Sequence, residues 1–245
     1  MAVECGPVRA SCVPATSGNR FDINQQEPDM ATPIPLKGDE APDDQRETKR
    51  MAILSAAAKI FNERGYHDTS VADVAEALGV SKPFLYYYLK NKDDMLFECS
   101  RIATEQLHDM LDEVRKADLS GWERLTRLFR DYAQVMTTDF GICLIRSTAP
   151  GGMPKESREK LWAGRRRLNR EVERIIGQGI ADGSIRSCDP KMVSFALFGS
   201  FNWMTYWYED SGPMKADAIA DYFLNVFARG IGPIPATTPN KRKKG

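Results

Sequence analysis

The sequence predicts an all-α protein, with an N-terminal three-helix helix-turn-helix domain followed by a helical bundle. Three observations carry the prediction. From Arg46 onward apolar residues recur at three- and four-residue intervals, the period that places them on one face of a helix. No stretch alternates apolar and polar residues as a half-buried strand does. Gly65, Gly79, Pro154, Gly183 and Pro190 stand at the edges of the periodic segments, where helices stop or start. The expected divisions are an extension over 1–45, the three-helix domain over 46–95, the bundle over 96–231 and a tail over 232–245.

Residues 1–45 are rich in Pro, Gly, Asp and Glu without an apolar period, so disorder is expected. From Arg46, the residues Ile53, Leu54, Ala57, Ile60 and Phe61 predict a first helix ending at Gly65. Its RETKR start places Arg46, Lys49 and Arg50 either in solvent or within reach of an adjacent polyanion. Thr69 to Tyr88 reads as two short helices joined at Ala77-Leu78-Gly79-Val80-Ser81. Thr69 or Ser70 caps the first, whose Val71, Val74, Ala75 and Leu78 share a buried face. Gly79 reverses the chain through a conformation with positive φ. Ser81 caps the second helix, and Pro83 in its first turn forfeits only an N–H without an intrahelical partner. Val80, Leu85 and Tyr88 then face inward, leaving Lys82, Phe84, Tyr86 and Tyr87 outward. That outward set suits a groove lined by phosphates and base edges, although an ordinary helical hairpin has the same pattern.

Asp93 and Asp94 open a helix running to about Lys116, and Lys92 beside its N-terminus stands where an anion is favoured. Further helices are expected from Ser120 to about Thr138, over a short piece from Phe140 to Ile145, and from Pro154 to about Ala181 after the Ala149-Pro150-Gly151-Gly152 breaker. Pro190 to Tyr208 forms a helix apolar nearly all round, which needs two partners, its own domain and a second subunit. A last amphipathic helix covers Ala216 to Arg229, and PATTPNKRKKG is a loose basic tail that fits nonspecific attraction to DNA or a targeting patch.

Composition excludes several classes of function. The 34 Lys and Arg balance 34 Asp and Glu, so any contact with a polyanion rests on local placement rather than bulk charge. Five cysteines without a C-x-x-C pair fit neither a disulfide framework nor a zinc site, and a reducing cytoplasm is expected. Neither a signal peptide nor a membrane span is expected. His67 and His108 are far apart, no phosphate-cradling G-x-x-x-x-G-K-[ST] occurs, and Gly177-Gln178-Gly179 follows no strand. The protein is therefore not expected to be an enzyme, nor to carry a metal or other cofactor. Cys143 and Cys188 fit either buried thiols or oxidant sensors.

The run T-S-V-x-D-V-A-x-x-L-G-V-S-K-x-x-L-Y-Y-Y-L-K-x-K over Thr69 to Lys92, behind a leading helix, resembles the DNA-binding domain of the tetracycline-repressor (TetR) family of bacterial regulators. The resemblance implies a homodimeric repressor that binds an inverted-repeat operator in double-stranded DNA. Ser81, Lys82, Pro83, Phe84, Tyr86 and Tyr87 then form the reading helix, and Thr69 and Lys92 match phosphate-contacting positions. Leu89 departs from the family's usual Phe at a position that should be core. The alternative from another class is a helical ligand-binding or sensor protein that does not read DNA.

In the C-terminal domain, Trp162, Phe195, Phe198, Trp203, Met204, Trp207 and Tyr208 fit a core and dimer interface. The resemblance further implies a cavity for a small effector. GGMPKESREKLWAGRRRLNR followed by FGSFNWMTYWY resembles the branch of the family that responds to acyl-coenzyme A thioesters, including regulators of steroid-ring catabolism. Arg158 and Trp162, four apart, share a helix face suited to an adenine or phosphate moiety. Arg165, Arg166, Arg167 and Arg170 fit either further phosphate contacts or a solvated face. The expected effector residues are Arg158, Trp162, Trp203, Met204 and Trp207. Phe195, Phe198, Phe201, Tyr222 and Phe223 are expected at the dimer interface.

Overall fold

The computed structural model of the protein describes residues 43–146 and 154–230. The expected N-terminal disorder, the Ala149-Pro150-Gly151-Gly152 breaker and the basic tail lie outside these residues, except that Asp43 to Gln45 are already helical. The described chain forms nine helices and no strand: α1 (Asp43–Arg64), α2 (Val71–Leu78), α3 (Lys82–Tyr88), α4 (Lys92–Lys116), α5 (Gly121–Thr137), α6 (Asp139–Arg146), α7 (Lys155–Asp182), α8 (Pro190–Trp207) and α9 (Ala216–Arg229). Among them none is long and apolar enough to cross a membrane.

Local chemistry fixes where these helices begin and end. The Ser70 hydroxyl accepts from the Asp73 amide while the Asp73 carboxylate accepts from the Ser70 amide, a reciprocal cap that starts α2. Gly79 ends it at φ 63°, ψ 30°, and the Val80 amide reaches back to the Ala75 carbonyl. Ser81 caps α3 and Asn91 caps α4. Each cap contributes about 1 kcal/mol, which matters most for helices as short as α2 and α3.

Two apolar clusters organise the packing. The first gathers Ile53, Leu54, Ala57 and Phe61 of α1, Val74 and Ala75 of α2, Leu85 of α3, Leu89, and Met95, Leu96 and Cys99 of α4. Leu89 is buried there, so the residue that departs from the family pattern still serves as core. The second cluster joins the rest of α4 to α5, α7, α8 and α9 around Phe129, Tyr132 and Phe201. Helix α4 therefore runs through both clusters. The short α6 lies between them: Cys143 belongs to the first, Leu144 to the second, and Phe140 packs on both. Gly141 permits its placement, because a Cβ there would sit 1.8 Å from the Val135 carbonyl oxygen.

Candidate nucleic-acid interface

Leu85 anchors α3 from below, fully buried, and the opposite face is open. Tyr86 and Tyr87 are 52% and 62% exposed, and Lys82 and Pro83 are exposed at the first turn beside the capping Ser81. The Arg46 guanidinium lies 5.3 Å from the centroid of the Tyr87 ring, so the start of α1 continues the surface of α3. The result is a short helix about 10 Å long that presents one ammonium and two phenol hydroxyls, with the guanidinium of Arg46 from α1 beside them. A major groove about 12 Å wide admits such a helix. Its hydroxyls can donate to phosphates or base edges, and its cations displace counterions.

The remaining expected contacts sit differently. Phe84 is half-buried, packed on the core with its ring 5.2 Å from that of Tyr88, rather than fully outward. Lys49 is buried at 5% exposure and presents no surface charge. Arg50 donates to Glu98 at 2.5 Å and lies 3.4 Å from Glu47, tying α1 to α4. Thr69 is buried and its hydroxyl donates to the Gly65 carbonyl at 2.8 Å. Lys92 donates to the Tyr66 and Thr69 carbonyls at 2.9 and 2.8 Å, with its ammonium 4.4 Å from the Tyr66 ring centroid. The Tyr66 hydroxyl in turn donates to Asp93. These four polar residues thus do not join the exposed face of α3. Arg50 ties α1 to α4, Thr69 closes the turn between α1 and α2, and Lys92 ties that turn to the start of α4. Residue type and spacing are the same for a brace as for a phosphate contact; only the direction of the neighbouring carbonyls and carboxylates distinguishes them.

The brace at Glu98 was not legible in sequence, because its partner on α1 lies 48 residues away. Burial alone would raise the Glu98 pKa, but hydrogen bonds from Arg101 and Arg50 outweigh it and hold the carboxyl below its ordinary value. A depressed folded-state pKa contributes stability that is present above the unfolded value and is lost as pH falls through the folded one. Wild type should therefore lose more stability than Glu98→Gln between about pH 5 and pH 3 in urea titrations. Parallel curves would mean that the pair contributes nothing.

The expected effector residues are not brought together in one cavity. Met204 is fully buried in the second cluster. Trp203 is 61% exposed and stacks on Tyr206 at 4.8 Å, and Trp207 is also exposed. Arg158 is half-buried and Trp162 is 51% exposed near the start of α7. None of the five lines the groove of about 480 Å³ that opens between α4 and α7. The interface expectations also divide. Phe201 is fully buried with its ring 4.9 Å from Phe129, Phe198 packs 5.4 Å from both Phe129 and Tyr132, and Phe223 meets Phe201 edge-on at 5.5 Å. Phe201 is thus core of the protomer, and Phe198 and Phe223 are partly buried against it. Phe195 and Tyr222 are exposed, and with Met192, Gly199, Trp203 and Tyr206 they leave one side of α8 and its neighbour α9 uncovered. An all-round apolar helix carries no phase in its sequence, and the rings of α5 decide which side turns inward.

Residues 53–99 match the family described as bacterial regulatory proteins, tetR family, and residues 118–231 match the tetracyclin repressor-like C-terminal domain. The TetR family transcriptional regulator PfmR from Thermus thermophilus is 30% identical, with a TM-score of 0.68 covering 74% of this chain and 99% of that one. AibR, whose structure contains isovaleryl coenzyme A and operator DNA, is 25% identical with a TM-score of 0.66 over 73% of this chain and 97% of its own. The HTH-type transcriptional repressor KstR2 of Mycolicibacterium smegmatis is 25% identical over 205 residues, 78% of this chain and 95% of its own. Among the described residues no group of His, Cys, Asp and Glu is arranged to hold a metal ion. The capped α2–α3 unit, its exposed reading face and these likenesses over both halves together establish that the chain belongs to the tetR family of bacterial regulatory proteins, DNA-binding transcriptional regulators rather than enzymes.

Proposed function

We propose that this protein is a homodimeric repressor that reads an inverted-repeat operator through Lys82, Tyr86 and Tyr87, acts in the cytoplasm at the nucleoid, and is released by an acyl-coenzyme A thioester. The observation that carries the DNA reading is the exposed face of α3, held by Leu85 below and capped by Ser81. The dimer reading rests on Met192, Phe195, Gly199, Trp203 and Tyr206, which recur at helical spacing on the uncovered side of α8 beside Tyr222 of α9. A surface of this kind is costly to leave in water. Two copies joined there would present two α3 helices to half-sites roughly 34–36 Å apart, or a multiple of it. The effector class is supported by the isovaleryl coenzyme A bound to AibR and by the Arg158-Trp162 spacing on α7.

Moving a two-state balance from 99:1 to 1:99 takes about 5.5 kcal/mol of differential binding, which a large ligand can supply. The test is an electrophoretic shift of the DNA flanking the protein's own gene, titrated with an acyl-coenzyme A, its free acid and coenzyme A alone. Retarded DNA should be released by the thioester at the lowest concentration. Equal release by the free acid would exclude recognition of the coenzyme, and no retardation of flanking DNA would favour the sensor without DNA binding.

A further inference from the structure

We propose that the groove between α4 and α7 is a binding site for a phosphorylated, nucleotide-sized ligand, and that its occupancy reaches the DNA-reading helices through Arg101 and Glu98. The site is argued from its own residues. It rests on the effector reading only for the choice of the nucleotide end of coenzyme A as probe.

The groove has an apolar floor and a cationic rim. Helices α4 and α7 touch at Gly164, where a Cβ would come within 2.8 Å of the Thr104 methyl, and the His108 ring nitrogen lies 3.4 Å from the Gly164 carbonyl oxygen. Phe97 and Leu161 supply apolar surface beside that contact, while Arg101, Lys160, Arg167 and Arg170 surround it with Glu105 as the lining carboxylate. Two of the cations are already paired: Arg101 with Glu98 at 2.9 Å and Glu105 at 2.5 Å, and Lys160 with Glu156 at 2.8 Å. Arg167 and Arg170 form no ion pair among the described residues. They stand three apart, hence as neighbours on one face of α7, where like charges repel. In a chain of zero net charge this local excess is a matter of placement rather than composition. Guanidinium forks match the geometry of phosphate oxygens. The volume of about 480 Å³ is large for a lone inorganic anion and within the range of sites that hold small organic ligands.

The rim is also wired to the other half of the molecule. Glu98 holds Arg101 at the groove and, at 2.5 Å, Arg50 of α1 in the first apolar cluster. A phosphate that draws Arg101 away competes directly with Glu98 and Glu105. The carboxylate shared by Arg101 and Arg50 then has one partner fewer, and the tie between α1 and α4, which share one apolar cluster with α2 and α3, changes.

Calorimetric titration of the full-length protein with adenosine 3′,5′-bisphosphate, adenosine and inorganic phosphate tests the site. The bisphosphate should bind, and adenosine and phosphate should bind at least about tenfold more weakly, adenosine because it lacks the charge-assisted contacts and phosphate because it leaves the apolar floor unfilled. Arg167→Gln/Arg170→Gln should weaken bisphosphate binding by about tenfold or more without changing operator affinity in its absence, and Arg167→Lys/Arg170→Lys should recover part of the loss. In the wild type, saturating bisphosphate should shift operator affinity; in Glu98→Gln it should bind without that shift. Equal binding by the Gln double variant, by adenosine or by inorganic phosphate would overturn the site, and a shift that persists in Glu98→Gln would overturn the coupling. If the double variant fails to bind bisphosphate but an acyl-coenzyme A still releases its operator as in wild type, the groove is not the coenzyme site and the effector reading stands. If bisphosphate binds and no acyl-coenzyme A releases operator DNA, the groove stands and that effector reading falls.

Discussion

Phe201→Asp should leave no folded protein, whereas Trp203→Asp, two residues along the same helix, should fold as a monomer with little affinity for its operator. Phe201 is fully buried between Phe129, Tyr132 and Phe223. Truncating a buried Phe costs about 3–5 kcal/mol, and an unpaired carboxylate in its place adds a desolvation penalty of several kcal/mol. The sum, roughly 6–10 kcal/mol, is comparable with the 5–15 kcal/mol that typically separates folded from unfolded chains. Circular dichroism should show lost helix, and soluble yield should collapse. Trp203 instead projects from the protomer, so its replacement uncovers only the face of Tyr206, itself already exposed. A charge at the centre of the uncovered α8 side opposes pairing of two copies. Loss of the second reading head removes an effective concentration in the millimolar range, and operator affinity should fall by roughly 10²–10⁴-fold. Analytical ultracentrifugation decides the matter. A Trp203→Asp dimer with unchanged operator affinity would place the interface elsewhere.

Tyr86→Ala should weaken operator binding by about 1–3 kcal/mol, and Lys82→Ala should reduce the slope of log affinity against log salt by about one. The two effects differ in kind because an ammonium on a phosphate releases counterions, whereas a phenol near the bases discriminates sequence. Neither side chain supports the fold: Leu85 carries the burial of α3, and Ser81 its cap. Melting temperatures should therefore stay close to wild type, as for surface changes worth less than about 0.5 kcal/mol. Wild-type affinity and salt slope in Lys82→Ala would show that α3 does not lie against the phosphate backbone as proposed.

Helical character and the α2–α3 unit were legible in the sequence because capping residues, the Gly79 turn and three- and four-residue apolar spacing are local signals. The outward placement of Lys82, Tyr86 and Tyr87 followed from the phase that Leu85 and Val80 set. The hydrogen-bond partners of the polar residues around that unit were not legible. Lys92 and Thr69 have the chemistry of phosphate contacts, yet the carbonyls of the turn at Tyr66 to Thr69 and of Gly65 are nearer. Arg50 meets Glu98 for the same reason, across α1 and α4. In α8 the difficulty was different: Phe198 and Phe201 are chemically equivalent to Phe195, and only the aromatic rings of α5 separate inner from outer. The groove between α4 and α7 had one sequence signal, the three-residue spacing of Arg167 and Arg170. Its other wall lies some sixty residues earlier in the chain.

The position of α6 bears on how the molecule comes apart. Eight residues long, it reaches both apolar clusters, with Phe140 shared between them, and the Asn62 amide of α1 donates to the Asp139 backbone carbonyl at 3.0 Å. Neither cluster can open without stripping a side of this helix, and α4 threads both. Heating should accordingly give one calorimetric transition for the two halves rather than two. A chain cut after α4 would expose the pocket that Cys143 fills and melt well below the intact protein. The reading head is thus not a module that can be lifted off and reattached, but one end of a single cooperative unit.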